Sequence, residues 1–196
     1  MNLPNKITIS RIVLTPIVPF FLLSGLFPIE IRYWISFGAF LLIFSTDVFD
    51  GLIARKTNSI TDFGIILDPI ADKILVSTVL ITFVYLDMVH PVVVILLIMR
   101  DFIVTAIRLM VVTGKKSADR DDETKQWQTE AIMPPISGKI KTVLEVAMIA
   151  YILVDATVVW HFCINFALVS LTVAFALYSM IESYIRSRPV LAKLKK

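Results

Sequence analysis

Asp47-Val48-Phe49-Asp50-Gly51-Leu52-Ile53-Ala54-Arg55, followed after eight residues by Gly64-Ile65-Ile66-Leu67-Asp68-Pro69-Ile70-Ala71-Asp72, sets four carboxylates at the ends of two very apolar stretches. A charged side chain deep in a bilayer costs roughly 2.5 to 3.5 kcal/mol on insertion scales, so four persist only around a wet, cation-filled cavity. Asp47 and Asp50 are spaced i, i+3, and Asp68 and Asp72 are spaced i, i+4. Each pair therefore shares one face of a helix. Two such helices facing each other would form an oxygen-rich cage for a hard divalent cation, Mg2+ or Mn2+. Four aspartates suit one or two ions, and Asp72, last in the series, is the expected general base for an attacking hydroxyl.

The rest of the chain fits a membrane setting. Of its 196 residues 57% are hydrophobic and the mean hydropathy is +0.82, well above what a soluble core of this size requires. Residues 12 to 29 and 156 to 181 contain no Asp, Glu, Lys or Arg, and each approaches or exceeds the ~20 residues that cross the hydrocarbon layer. The expected fold is all-α, a polytopic membrane protein with six transmembrane helices at about 7 to 27, 34 to 54, 69 to 87, 91 to 112, 140 to 158 and 162 to 184. The whole chain, 1 to 196, reads as a single integral-membrane catalytic domain. Residues 115 to 137 form its one strongly hydrophilic segment, a cytoplasmic loop whose alternative role is a lid over the substrate. Pro16 and Pro19 predict a kink in the first span, which a neighbouring helix can tolerate. No cleavage site follows that span, so it reads as retained rather than as a signal peptide.

Charge sets the orientation. With the N-terminus inside, Arg32 is the one cation of the 19 Lys and Arg in an outside loop, Arg100 lies within the fourth span, and all the rest lie near the inner face. The positive-inside rule then puts both termini and the aspartate motif on the cytoplasmic side. Cys163 stands alone, which excludes an internal disulfide framework. His90 and His161 are far apart at expected loop ends, and a zinc site is not expected.

The pattern D-x-x-D-G-x-x-A-R, eight residues, then G-x-x-x-D-x-x-x-D resembles the signature of the CDP-alcohol phosphatidyltransferase family without a mismatch. The signature itself covers residues 47 to 72. The resemblance implies that the aspartates hold divalent metal against the diphosphate of a CDP-linked lipid while an alcohol attacks and CMP leaves. It also implies a homodimer in a bacterial inner or plasma membrane. Gly51, Ala54 and Gly64 would leave room for the CDP moiety, although small residues at such spacing also serve close helix packing. Arg55 could pair with a phosphate or with an aspartate of the cage. The stretch Pro4-Asn5-Lys6-Ile7-Thr8-Ile9-Ser10-Arg11 is similar to a P-N-x-x-T-x-x-R opening common in the family, which adds Asn5 and Thr8 to the CDP-lipid set.

A second group of residues bears on the acceptor. Arg100 and Arg108 belong to the fourth span, Lys139 and Lys141 open the fifth, and Arg186 and Arg188 end the sixth. Cations converging from three spans suit a phosphorylated acceptor, which needs several charge-assisted hydrogen bonds. The competing readings are snorkelling to lipid headgroups and, for Arg100, a structural ion pair. The blocks around Arg100-Asp101, Arg108 and Gly138-Lys139-Ile140-Lys141-Thr142 look like those of family members that use sn-glycerol 3-phosphate. The expected substrates are therefore CDP-diacylglycerol and glycerol 3-phosphate, with phosphatidylglycerol phosphate as product. The alternatives are phosphatidylglycerol, serine or inositol phosphate as acceptor, and, from another class, a cation transporter. Transporters of that kind show pseudo-repeats and matched broken helices, neither of which is visible in this sequence.

Overall fold

The computed structural model describes residues 3–57, 62–116, 136–158 and 162–194 together with the short connections 24–28 and 86–90; side chains are described over 8–46, 70–107, 109–110, 136–155 and 164–188. The described elements are seven helices: α1 (Leu3–Leu14), α2 (Ile17–Leu23), α3 (Ile29–Thr57), α4 (Asp62–Tyr85), α5 (Pro91–Lys116), α6 (Ile136–Val158) and α7 (Phe162–Leu194). Among the described residues there is no strand, which agrees with the all-α expectation.

The first expected span is two helices rather than one kinked helix. Pro16 has no N–H to donate back into α1, so the ladder ends there, and the Thr15 hydroxyl turns back onto the Arg11 carbonyl at 2.9 Å. The other helices exceed the expected spans, mostly at their charged ends. At 1.5 Å per residue the 29 residues of α3 and the 33 of α7 run about 44 and 50 Å, longer than the ~30 Å of hydrocarbon. Pro69, taken above as the first residue of a span, lies inside α4. The helix tolerates it there at the loss of one backbone rung, to the Ile65 carbonyl.

Among the described residues two helical segments, Ile29–Thr46 and Ile164–Arg188, are long and apolar enough to cross a membrane. Only 17% and 22% of them is buried within the protein, so most of their apolar surface faces outward. The remaining long helices miss that criterion because charges interrupt them, as Arg100, Asp101 and Arg108 interrupt α5.

The chain divides into two compact units, one of residues 1–94 and 147–166 and the other of 95–146 and 167–196. In the first, α1 and α2 pack against both α3 and α4. The buried stripe of α4, Leu75, Val76, Val79, Leu80 and Phe83, recurs at i, i+4 and i+8 and gives that packing its dispersion energy. At the α2–α3 connection Arg32 donates Nη1 to the Ser24 carbonyl at 3.1 Å, which satisfies an acceptor at the end of α2. In the second unit the buried positions are unusually polar: Arg100, Asp101, Lys141, Glu145, Ser179 and Ser183 are all at most 6% exposed.

Candidate active site

The acidic motif lies on consecutive helices of the first unit. Asp47, Asp50, Gly51, Ala54 and Arg55 fall on α3, and Gly64, Asp68 and Asp72 on α4, both helical throughout these positions. The i, i+3 and i, i+4 spacings therefore do put each aspartate pair on one helix face. The side chains of Asp47, Asp50, Ala54, Arg55 and Asp68 and the surroundings of Gly51 and Gly64 lie outside the described residues, as do the side chains of Asn5 and Arg108.

Asp72 is described. Its carboxylate is 23% exposed, and Oδ2 accepts from Lys73 Nζ at 2.9 Å. No described residue donates to Oδ1. The preceding Ala71 is fully buried, so α4 turns one face into the packing and presents Asp72 at its margin. On α1, Thr8 and Arg11 are 3% and 2% exposed, on a helix packed against α3 and α4. Thr8 of the CDP-lipid set thus belongs to the unit that carries the aspartates, and Arg11 joins it.

For a metal, the donor chemistry fits. Four carboxylates supply hard oxygens, and Asp72 has a partly exposed carboxylate with an oxygen to offer. Among the described residues no three His, Cys, Asp or Glu come together, and Asp72 is the one member of the acidic set whose side chain is described.

The cations expected to hold the acceptor separate into two kinds, all in the second unit. Arg100 donates Nη1 to Asp101 Oδ1 at 2.8 Å, Nε to the Ala176 carbonyl at 3.2 Å, and Nη2 to the Ser179 hydroxyl. Lys141 is completely buried and lies 2.7 Å from both oxygens of Asp101 and 2.6 Å from Glu145 Oε2. Arg186, half exposed, pairs with Glu182 at 2.6 Å, and Glu182 also accepts from the Ser137 hydroxyl. In contrast, Lys139 and Arg188 are exposed and have no ion pair among the described residues. The structural-pair reading of Arg100 is the one the geometry supports.

Three carboxylates of this unit were not among the expected site residues. Glu145 follows Lys141 by four residues and Glu182 precedes Arg186 by four, a spacing that flags helix-face pairs. Asp101 joins Lys141 across 40 residues of chain, and no local pattern marks that partnership.

Comparison with known proteins agrees with the motif. The model of the CDP-alcohol phosphatidyltransferase family matches residues 1–178. A protein of Bacillus subtilis strain 168 named CDP-diacylglycerol–glycerol-3-phosphate 3-phosphatidyltransferase is 36% identical over 162 residues, 78% of this chain and 76% of its own length. A Shigella flexneri serotype 5b protein of the same name is 32% identical over 187 residues, 92% of each chain. One from Rickettsia typhi is 41% identical over 109 residues, 55% of this chain and 58% of its own. With the aspartate motif intact on α3 and α4 and the family match running through nearly the whole chain, the protein belongs to the CDP-alcohol phosphatidyltransferase family.

Proposed function

We propose that the protein transfers the phosphatidyl group of CDP-diacylglycerol to sn-glycerol 3-phosphate, yielding phosphatidylglycerol phosphate and CMP. The observation that carries this reading is the similarity over 92% of the chain to a transferase of that name, combined with an aspartate motif in regular helical register. The protein acts as a six-span homodimer of the cell membrane with the motif open to the cytoplasm. The charge distribution and the apolar outward surface of α3 and α7 support that setting.

In this reading Gly51, Ala54 and Gly64 admit the cytidine nucleotide close to the α3 and α4 backbones, with Asn5 and Thr8 beside it. Arg55 meets a phosphate of the donor. Asp47, Asp50, Asp68 and Asp72 hold Mg2+ or Mn2+, which when bound neutralises the diphosphate and stabilises the departing CMP. Asp72 orients the acceptor hydroxyl and takes its proton as the oxygen bonds to the phosphatidyl phosphorus and the bond to CMP breaks. Lys139 and Arg188, exposed and without an ion pair among the described residues, present charge to the acceptor's phosphate together with Arg108, while Arg100, Lys141 and Arg186 are engaged with carboxylates.

The test is CMP release by purified protein with CDP-diacylglycerol and a panel of glycerol 3-phosphate, phosphatidylglycerol, serine and inositol phosphate. Turnover with glycerol 3-phosphate at least about tenfold above the others, in kcat/KM, is expected. A preference for any other acceptor would replace this reading with that sister activity.

A further inference from the structure

Lys73 is the last charged residue of α4, and from Ile74 to Tyr85 the helix carries none. A lysine at that edge of an apolar helix ordinarily runs its stem out to the headgroup layer. Here Nζ instead sits 2.9 Å from Asp72 Oδ2, with the lysine side chain 14% exposed and the aspartate 23%. Successive residues on a helix point to different faces, so spacing alone does not make this contact and the four-carbon stem has to fold across to reach it. Ala71, Leu75 and Val76 are buried, which holds the stretch of α4 that carries both groups. Asp72 Oδ1 receives no donor from a described residue, so the two oxygens of one carboxylate are held differently. An ammonium has three hydrogens and can hold Oδ2 while serving a further acceptor.

We propose that Lys73 is a positioning residue for Asp72. Its ammonium takes Oδ2, which sets the plane of the carboxylate and leaves Oδ1 as the oxygen for a divalent cation or for the acceptor hydroxyl. A carboxylate without such a partner turns broadly about its last bond and can close both oxygens on one cation. The inference rests on the roles read for Asp72 above, and it predicts two effects of opposite sign. The ammonium repels a nearby divalent cation, so Lys73 weakens the ion's binding, while by orienting the base it speeds turnover. Disordering the site would weaken both.

The experiment uses the full-length protein in detergent, with Lys73→Met, which keeps the stem and drops the charge, and Lys73→Arg, which keeps the charge and a donor. Mn2+ binding is measured by electron paramagnetic resonance without substrates, CMP release is titrated against each substrate, and melting establishes that each variant is folded. Lys73→Met should bind Mn2+ about tenfold more tightly, lose about ten- to hundredfold in kcat, and keep both substrate KM values within about threefold. Lys73→Arg should return kcat and Mn2+ affinity to within about threefold of the wild type, since the contact asks for one N–H on one oxygen. Weaker Mn2+ binding in Lys73→Met, or an unchanged kcat, would overturn the proposal. A raised KM for either substrate at unchanged kcat would also overturn it, by placing the ammonium on a substrate phosphate. Lys73→Gln replaces a Met variant that does not fold, and failure of both would assign the lysine to folding and end the proposal. If the wild type binds no Mn2+, the metal reading fails, and the kcat loss and its rescue alone decide the positioning role. If the wild type releases no CMP, the functional reading fails, and the Mn2+ affinities decide it.

Discussion

Asp101→Asn is the most demanding single perturbation of this protein away from its acidic motif. The carboxylate is 3% exposed and receives Arg100 Nη1 at 2.8 Å and Lys141 Nζ at 2.7 Å on both oxygens. Asparagine keeps one acceptor and turns an NH2 group toward a cation, so the cluster loses one negative charge. A unit charge pair at about 4 Å is worth roughly 4 kcal/mol at an effective dielectric of 20. Breaking a buried pair by removing one partner costs about 3 to 5 kcal/mol in measured cases, and the two figures agree. At about 2 to 4 °C per kcal/mol for a chain of this size, the melting point should fall by about 6 to 20 °C. The assay is thermal unfolding of the purified protein in detergent, with Arg186→Gln measured beside it. Arg186 is 50% exposed, so its pair with Glu182 should be worth no more than about 1 kcal/mol. An Asp101→Asn protein melting within about 2 °C of the wild type, or the same shift in both variants, would refute the assignment of a buried ionic cluster.

Further outcomes follow from the site. Asp47→Asn, Asp50→Asn, Asp68→Asn and Asp72→Asn should each remove most CMP release from a folded protein; chelation should silence the wild type, with magnesium or manganese restoring it, and full activity in chelator would end the metal mechanism. Arg108→Ala, Lys139→Ala and Arg188→Ala should each raise the acceptor KM roughly ten- to hundredfold, from about 1.5 to 3 kcal/mol per charged hydrogen bond, and leave the CDP-diacylglycerol KM alone. An unchanged acceptor KM in all three would assign these cations to lipid headgroups. In a Cys163→Ser background, single cysteines at the exposed positions Lys139 and Arg188 should react with a membrane-impermeant thiol reagent from the cytoplasmic side and one at Ile29 from the opposite side. Reaction of Arg188 and Ile29 positions from one face would break the six-span topology.

The sequence by itself determined the all-helical class and the placement of the acidic motif on two successive helices, and it marked Pro16 as a kink where the structure has a break between two helices. Each depends on local information: carboxylates at i, i+3 and i, i+4, apolar runs too long for strands, and a residue that cannot donate a backbone hydrogen bond. Helix ends were less legible, because apolar length measures the hydrocarbon layer while a helix satisfies its own backbone and can continue beyond it, as α7 does to Leu194. Pro69 bounded a span but not the helix, which the Asp68 and Asp72 spacing already carried across it and which runs from Asp62. Only the tertiary structure decided how the cations are used. Lys139 and Lys141 read alike in sequence, yet one is exposed and the other is fully buried between Asp101 and Glu145. A charge finds its partner by which helix faces pack together, and Asp101 stands 40 residues away on another helix. Burial removes the water that would otherwise satisfy it, so that packing decision also decides whether a lysine holds the fold together or remains free to meet a substrate.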